Sequence, residues 1–328
     1  MIRFGIIGTN WITDSFLKAA GDLEDFKLAA VYSRTEEKGR EFADKYGVQT
    51  VFTDVEEMAK SEAVDAVYIA SPNSFHSKQA IMLMNHGKHV LCEKPLASNA
   101  GEVKDMIAAA KENKVVMMEA LKSTMLPGFK AIQESLPRIE TIRRYVGNYC
   151  QYSSRYDAYK EGNILNAFKP EFSNGALMDL GTYCIYPLVV LFGKPLTVKA
   201  SGIMLESGVD GEGSVLLTYE SMEAVITYSK ITDSFLPSEI QGEKGSIVID
   251  RIHTPEKVEI RLRGGSTEEV SRTADHEPMY YEAKEFISLI QQGKLESDIN
   301  SHSNSLTVME IMDEIRSQIG VVYPNDSK

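Results

Sequence analysis

The sequence predicts an α/β fold in two parts, a doubly wound parallel sheet followed by an α+β domain built on a large, mainly antiparallel sheet. Three observations predict it. The chain has 328 residues, past the roughly 250–300 at which a single core stops growing. Its first third alternates apolar strand-like runs with helical patterns six times. After about Leu121 the rhythm changes to crowded strands joined by hairpin-like turns. The expected domains are therefore 1–120 and 121–328, with the C-terminal helix able to pack back on the first.

In the first part, the strand-like runs are Ile2–Gly8, Lys27–Tyr32, Val51–Phe52, Ala66–Ala70, His89–Cys92 and Val115–Met118. Helical patterns fall between them at Ile12–Ala20, Thr35–Tyr46, Asp54–Lys60, Phe75–His86 and Ala100–Asn113. Apolar strands spaced by helices and short connections make a parallel sheet covered on both faces. In such a sheet ligands bind outside the carboxyl ends of the strands. The second part reads as strands at Arg143–Cys150, Thr197–Met204, Gly213–Tyr219, Glu223–Tyr228, Pro237–Gly242, Ser246–Ile249, Lys257–Leu262 and Glu268–Ser271. Its helical patterns are Leu126–Leu136, Leu177–Leu191, Met279–Gln291 and Leu306–Ile319. Hairpin-linked strands with segregated helices give an α+β domain.

Composition narrows the function. With 35 basic and 47 acidic residues the net charge is −12, which repels phosphate backbones, so nucleic acid is not an expected partner. Cys92, Cys150 and Cys184 are too few and too widely spaced for a disulfide scaffold, and a reducing cytoplasm suits them. No run reaches the roughly 18 apolar residues of a membrane span, and no signal peptide is evident, so no membrane partner is expected. No metal site is expected either. His86 and His89 straddle a loop without a third ligand, and no HExxH or cysteine cluster occurs.

The first strand ends in Gly8-Thr9-Asn10-Trp11-Ile12-Thr13, where a dinucleotide fold places GxGxxG. Asn10 stands for the middle glycine and Thr13 for the third. Asparagine tolerates positive φ better than other non-glycine residues, so the turn is expected to survive in that conformation. Gly8, Thr9, Asn10, Trp11 and Ile12 are then the candidate pyrophosphate cradle at a helix N-terminus. The second strand ends in Ser33-Arg34, with Lys38 a turn later, where an NAD site carries an acidic residue for the ribose 2′-hydroxyl. A guanidinium and an ammonium suit a 2′-phosphate, which favours NADP over NAD. Arg34 and Lys38 can alternatively pair with Glu36, Glu37 or Glu41 at an exposed helix start.

Ser71-Pro72-Asn73-Ser-Phe-His76 follows the fourth strand and Cys92-Glu93-Lys94-Pro95 the fifth. Further on comes Gly175-Ala-Leu-Met-Asp179-Leu-Gly181-Thr-Tyr183. Together these motifs resemble the Gfo/Idh/MocA oxidoreductase family, with its [TS]-P-N-x-x-H, E-K-P and G-x-x-x-D-x-G-x-[HY] segments. Tyr183 in place of histidine makes the chain similar to the dimeric dihydrodiol dehydrogenase and xylose dehydrogenase branch. The resemblance implies an NAD(P)-dependent enzyme transferring a hydride between nicotinamide and a sugar, polyol or related hydroxy compound. It implies that Lys94 contacts substrate and nicotinamide, that Glu93 supports the cofactor, that Asn73 approaches the nicotinamide ribose, and that Lys94–Pro95 is cis. It also implies a homodimer or homotetramer formed through the second sheet. Ser71, Pro72 and His76 join the cofactor candidates, His76 being equally readable as a structural residue at a helix start capped by Asn73 or Ser74.

Oxidising an alcohol at a nicotinamide requires a group to accept the hydroxyl proton. Lys94 and Tyr183 are the candidates, each needing a lowered pKa to act near neutrality. Asp179, four residues before Tyr183, shares its helix face and can orient the substrate hydroxyl or the lysine. One departure bears on specificity. Glu119-Ala120-Leu-Lys122-Ser123-Thr124-Met-Leu-Pro127 aligns with a family stretch that often reads E-A-x-x-W-R-x-x-P. Ser123 and Thr124 therefore remove an aromatic wall and a fixed cation, which Lys122 or Arg155 could replace. That loss and the altered glycine turn keep two alternatives in view: a catalytically silent dinucleotide-binding regulator, or a glycosidase using nicotinamide transiently.

Overall fold

The computed structural model describes residues 1–327 and divides into two compact units. The first is Met1–Leu121 together with His276–Ser305; the second is Lys122–Asp275 with the chain from Leu306 onward. The second stretch is thus not continuous, as a 121–328 domain would be, because 276–305 returns to the parallel-sheet unit.

In the first unit, β1 (Ile2–Ile7), β2 (Phe26–Tyr32), β3 (Thr50–Phe52), β4 (Ala66–Ile69), β5 (His89–Glu93) and β6 (Met117–Ala120) are all parallel. They lie in the order β3-β2-β1-β4-β5-β6. The order reverses between β1 and β4, so the loops after these strands flank the switch point where such sheets bind ligands. Phe4, Ile6 and all of β4 are buried, as a sheet covered on both faces demands. The covering helices are α1 (Trp11–Ala20), α2 (Glu36–Lys45), α3 (Val55–Lys60), α4 (His76–Asn85) and α5 (Ala100–Asn113). α9 (Pro278–Gln292) packs on α1, and its Phe286 ring sits 5.9 Å from Phe4. β6 begins two residues after its expected start at Val115. Lys114 is left-handed (φ 54°) and the Val115 N–H turns back to Ala110 O, so the helix closure consumes Val115.

The second unit holds an eight-stranded sheet in the order β14-β13-β12-β11-β7-β10-β9-β8. Its strands are β7 (Ile142–Cys150), β8 (Thr197–Met204), β9 (Asp210–Thr218), β10 (Glu223–Ser229), β11 (Ser238–Gly242), β12 (Gly245–Ile249), β13 (Val258–Leu262) and β14 (Thr267–Glu269). Every pairing is antiparallel except β7 with β10. Ala224, Ile226 and Tyr228 alternate inward along β10. Remaining helices are α6 (Pro127–Ser135), α7 (Tyr156–Lys160), α8 (Thr182–Phe192) and α10 (His302–Ile319). The helical run Pro170–Phe192 is apolar and long enough to cross a membrane by length and composition, but 72% of its most apolar window is buried in protein. It is a core helix.

That run is not the single helix expected over Leu177–Leu191. A π-helical turn occupies Leu177–Gly181 before α8 begins. The Leu177 N–H donates to Asp210 Oδ2 at 2.7 Å, drawing the backbone toward β9. Gly181 lies against the Tyr228 ring, where an added Cβ would sit 3.1 Å from Cδ1. Turns of this type recur at functional sites.

Candidate active site

The phosphate turn is built differently from the sequence expectation. Asn10 does not take positive φ; it is extended (φ −114°) and caps α1. Its Oδ1 accepts the Ile12 N–H at 3.0 Å and its Nδ2 donates to Ala70 O at 3.0 Å. The side chain is worth more as a cap and a tie to β4 than glycine would be. Gly8 carries the strained conformation (φ +105°), and a Cβ there would lie 2.4 Å from Ala70 O. Thr13 is fully buried and donates to Gly8 O at 2.8 Å, so its bulk closes the turn. Among the described residues the Thr9, Asn10 and Trp11 N–H groups have no hydrogen-bond partner, leaving donors at a helix N-terminus for an anion. Trp11 is 67% exposed at this end. These features fit a dinucleotide pyrophosphate.

At the end of β2, Ser33 is buried and its N–H donates to Phe52 O. Arg34 and Lys38 are exposed, and among the described residues their side chains have no hydrogen bond or ion pair. The helix-start pairing does not form with them: Glu36 is taken by Arg40 at 3.2 Å. Two uncommitted cations and no carboxylate at position 33 fit a ribose 2′-phosphate.

After β4, Ser71 Oγ donates to Gln79 at 2.6 Å. Pro72 leads into a short 3₁₀ turn, Asn73–Phe75, that runs directly into α4, so neither Asn73 nor Ser74 caps that helix. His76, expected among the cofactor contacts, is 0% exposed. Its Nδ1 lies 3.0 Å from Pro95 O and its Nε2 2.8 Å from Ser71 O. Burial lowers its pKa, and the neutral ring, with one N–H, donates to one of these two carbonyls while packing between the loops after β4 and β5.

After β5, Lys94–Pro95 is cis and Lys94 is half-buried. Glu93 is buried, accepting from Tyr68 Oη at 2.6 Å and from the Lys94 N–H at 3.3 Å. Tyr68 stacks on Phe16 at 3.8 Å, beneath the phosphate helix. Glu119, on β6, accepts the Leu96 N–H at 3.0 Å. Burial pushes Glu119 up to about 7, against the pull of the Ser305 and Leu96 hydrogen bonds; Glu93 adds to the rise and Lys94 opposes it. Glu119 entered the sequence reading only as an alignment anchor, and its packing shows a further role.

In the second unit, Asp179 sits on the π-helical turn, 39% exposed, with Oδ2 2.9 Å from Nζ of Lys230. Tyr183, one turn on, lies edge-on to Tyr149 (5.7 Å) and His253 (6.2 Å), whose rings stack on each other at 4.0 Å. Burial, with Lys122 and Arg251 nearby, lowers His253 to about 4, so it is neutral. Ser123 is buried and donates to His253 O at 2.8 Å. The aromatic surface missing at position 123 is thus present beside Tyr183, contributed by the 253 loop. Lys122 lies near enough to His253 to disfavour its protonation, whereas Arg155 is exposed at the start of α7. Sequence reasoning missed Lys230 and His253. Lys230 was findable, because it continues the inward alternation 224, 226, 228 of β10. Among the described residues no group of acidic, histidine or cysteine side chains could hold a metal.

Residues 2–121 match the Gfo/Idh/MocA oxidoreductase family model with an NAD-binding Rossmann fold, and 139–248 match the family's C-terminal domain. The chain is 59% identical to scyllo-inositol 2-dehydrogenase (NADP(+)) IolU of Bacillus subtilis, over 99% of each chain. It is 32% identical to trans-1,2-dihydrobenzene-1,2-diol dehydrogenase of Xenopus laevis, over 98% of this chain and 99% of that one. Its fold matches KijD10, a 3-ketoreductase from Actinomadura kijaniata solved with NADP and TDP-benzene, with TM-score 0.86 and 23% identity over 97% and 98% of the two chains. The chain belongs to the Gfo/Idh/MocA family and is an NAD(P)-dependent oxidoreductase acting on CH–OH groups.

Proposed function

We propose that the protein is an NADP-dependent polyol dehydrogenase that oxidises one carbinol of an inositol-type ring. What carries this reading is the 59% identity, along nearly the whole of both chains, with a scyllo-inositol 2-dehydrogenase. NADP as the preferred form is supported by the uncommitted Arg34 and Lys38. Bound NADP supplies the nicotinamide that takes the hydride. Gly8, Thr9, Asn10, Trp11 and Ile12 hold its pyrophosphate, Ser33, Arg34 and Lys38 its adenosine end, and Ser71, Pro72 and Asn73 the nicotinamide side. The first unit binds the cofactor, and the second contributes the substrate face and the assembly surface. Lys94 and Tyr183 remove the hydroxyl proton, and Asp179 fixes the hydroxyl's orientation. Glu93 acts from below, holding the Lys94 N–H.

The regulator alternative loses one of its motives, since Asn10 caps α1 rather than damaging the turn. Self-association into a dimer or tetramer is supported by exposed Ile203, Met204 and Leu216 on the adjacent strands β8 and β9. The test is to mix purified protein with scyllo-inositol and either NADP or NAD and follow the reduced nicotinamide. Reduction with NADP well above that with NAD is expected. No reduction of either across a panel of inositols and sugars defeats the reading. Sedimentation giving only a monomer removes the assembly.

A further inference from the structure

Lys230 follows β10 and is 3% exposed, yet it carries an ammonium. Its backbone is clamped on both sides: its N–H donates to Gly211 O at 2.9 Å, and its carbonyl accepts the Ser153 N–H at 2.9 Å. The side chain therefore has a fixed origin. Its Nζ reaches Asp179 Oδ2 at 2.9 Å and Ala167 O at 3.2 Å, and lies 5.0 Å over the Phe168 ring. The pair is lopsided: the cation is sealed in protein while the carboxylate is 39% exposed.

A pair kept only for stability is poorly served by this arrangement. Burying an ammonium costs more than a surface carboxylate returns, and an apolar side chain of similar volume would pack as well. A sealed cation behind a solvent-facing carboxylate instead matches a preorganised charge, fixed before the reacting group arrives. The other acid within reach is Asp210, which is fully buried and spends its Oδ2 on the Leu177 N–H. Burial pushes Asp210 up to about 6 and the neighbouring Tyr228 phenol far above neutrality. Of the two acids, Asp179 is the one ion-paired with the ammonium, at 2.9 Å.

We propose that Lys230 is a positioning residue of the active site, holding the Asp179 carboxylate ionised and aimed at the substrate. The proposal rests on the reading of Asp179 given above. The test compares Lys230→Met, Asp179→Asn and the double variant in NADP-dependent oxidation of scyllo-inositol across pH. Lys230→Met is expected to lower kcat/KM at least about ten-fold and to move its acid limb upward by about one pH unit, because the carboxylate then protonates more readily. In the double variant the loss should match that of Asp179→Asn within about two-fold, since both substitutions remove one interaction. Losses that multiply, or an unmoved acid limb in Lys230→Met, overturn the proposal while leaving Asp179 in place. An Asp179→Asn enzyme of near wild-type activity overturns the reading of Asp179, and the proposal with it. Should Lys230→Met fail to fold, Lys230→Arg keeps the charge and should leave the acid limb where it is. A folded arginine variant with a displaced limb then overturns the proposal.

Discussion

The Glu119 carboxyl group accepts the Leu96 N–H at 3.0 Å through Oε1, tying the strand β6 to the loop that carries Lys94. Its burial holds it protonated to about pH 7. The folded state thus binds a proton that the unfolded chain releases near 4.5. Stability contributed at this site is full below about 4.5 and falls as pH rises toward 7, by roughly 3 kcal/mol at most. Asp210, raised to about 6, acts in the same direction. Denaturant titrations should show wild-type stability declining between about pH 4.5 and 7 and a shallower decline in Glu119→Gln, which keeps the acceptor oxygen. Equal slopes for the two proteins would contradict the assignment.

Arg34→Ala should discriminate between cofactors. Loss of a charge-assisted contact to a phosphate costs about 1.5–3 kcal/mol, or roughly 10- to 100-fold. The NADP Kd should rise by that factor while the NAD Kd stays put. Isothermal titration with both nucleotides checks it, and equal weakening of the two counts against a 2′-phosphate site.

Lys94→Ala should strike turnover rather than cofactor binding. General acid–base groups contribute about 10²–10⁴-fold, so kcat should fall at least a hundred-fold with an NADP Kd within a factor of a few. Steady-state kinetics beside fluorescence titration separates the two. Near-normal turnover with a confirmed substrate removes Lys94 from the chemistry.

Gly8→Ala combines a positive φ with a Cβ placed 2.4 Å from Ala70 O. The turn must shift, at a cost of about 1–3 kcal/mol. A lowered Tm and weakened binding of both nucleotides are expected. An unchanged Tm would show that the loop after β4 yields freely.

Much of the fold was legible because patterning is local. The first-unit strands stand within one residue of their expected bounds, apart from β6, which the Lys114 closure displaced by two. The family motifs marked Lys94, Asp179 and Tyr183. What stayed hidden depended on packing between distant segments. Asn10 looked like a tolerated glycine substitute because the Ala70 carbonyl that fixes its amide lies 60 residues away. The sequence left His76 open between a contact and a structural role because the Pro95 carbonyl beside its ring nitrogen belongs to another loop. The Ser123 substitution looked like a lost wall because His253, 130 residues on, could not be placed beside it. The α9 pattern was seen, but its partner was not, since an apolar helix face does not say which sheet it covers.

The return of α9 to the parallel sheet has a consequence for biogenesis. Phe4, on β1, finishes its packing against Phe286, on α9, far along the chain. The parallel-sheet unit therefore cannot complete its interior during translation until α9 has been made, and a nascent chain stalled before α9 exposes an unfinished apolar surface to chaperones.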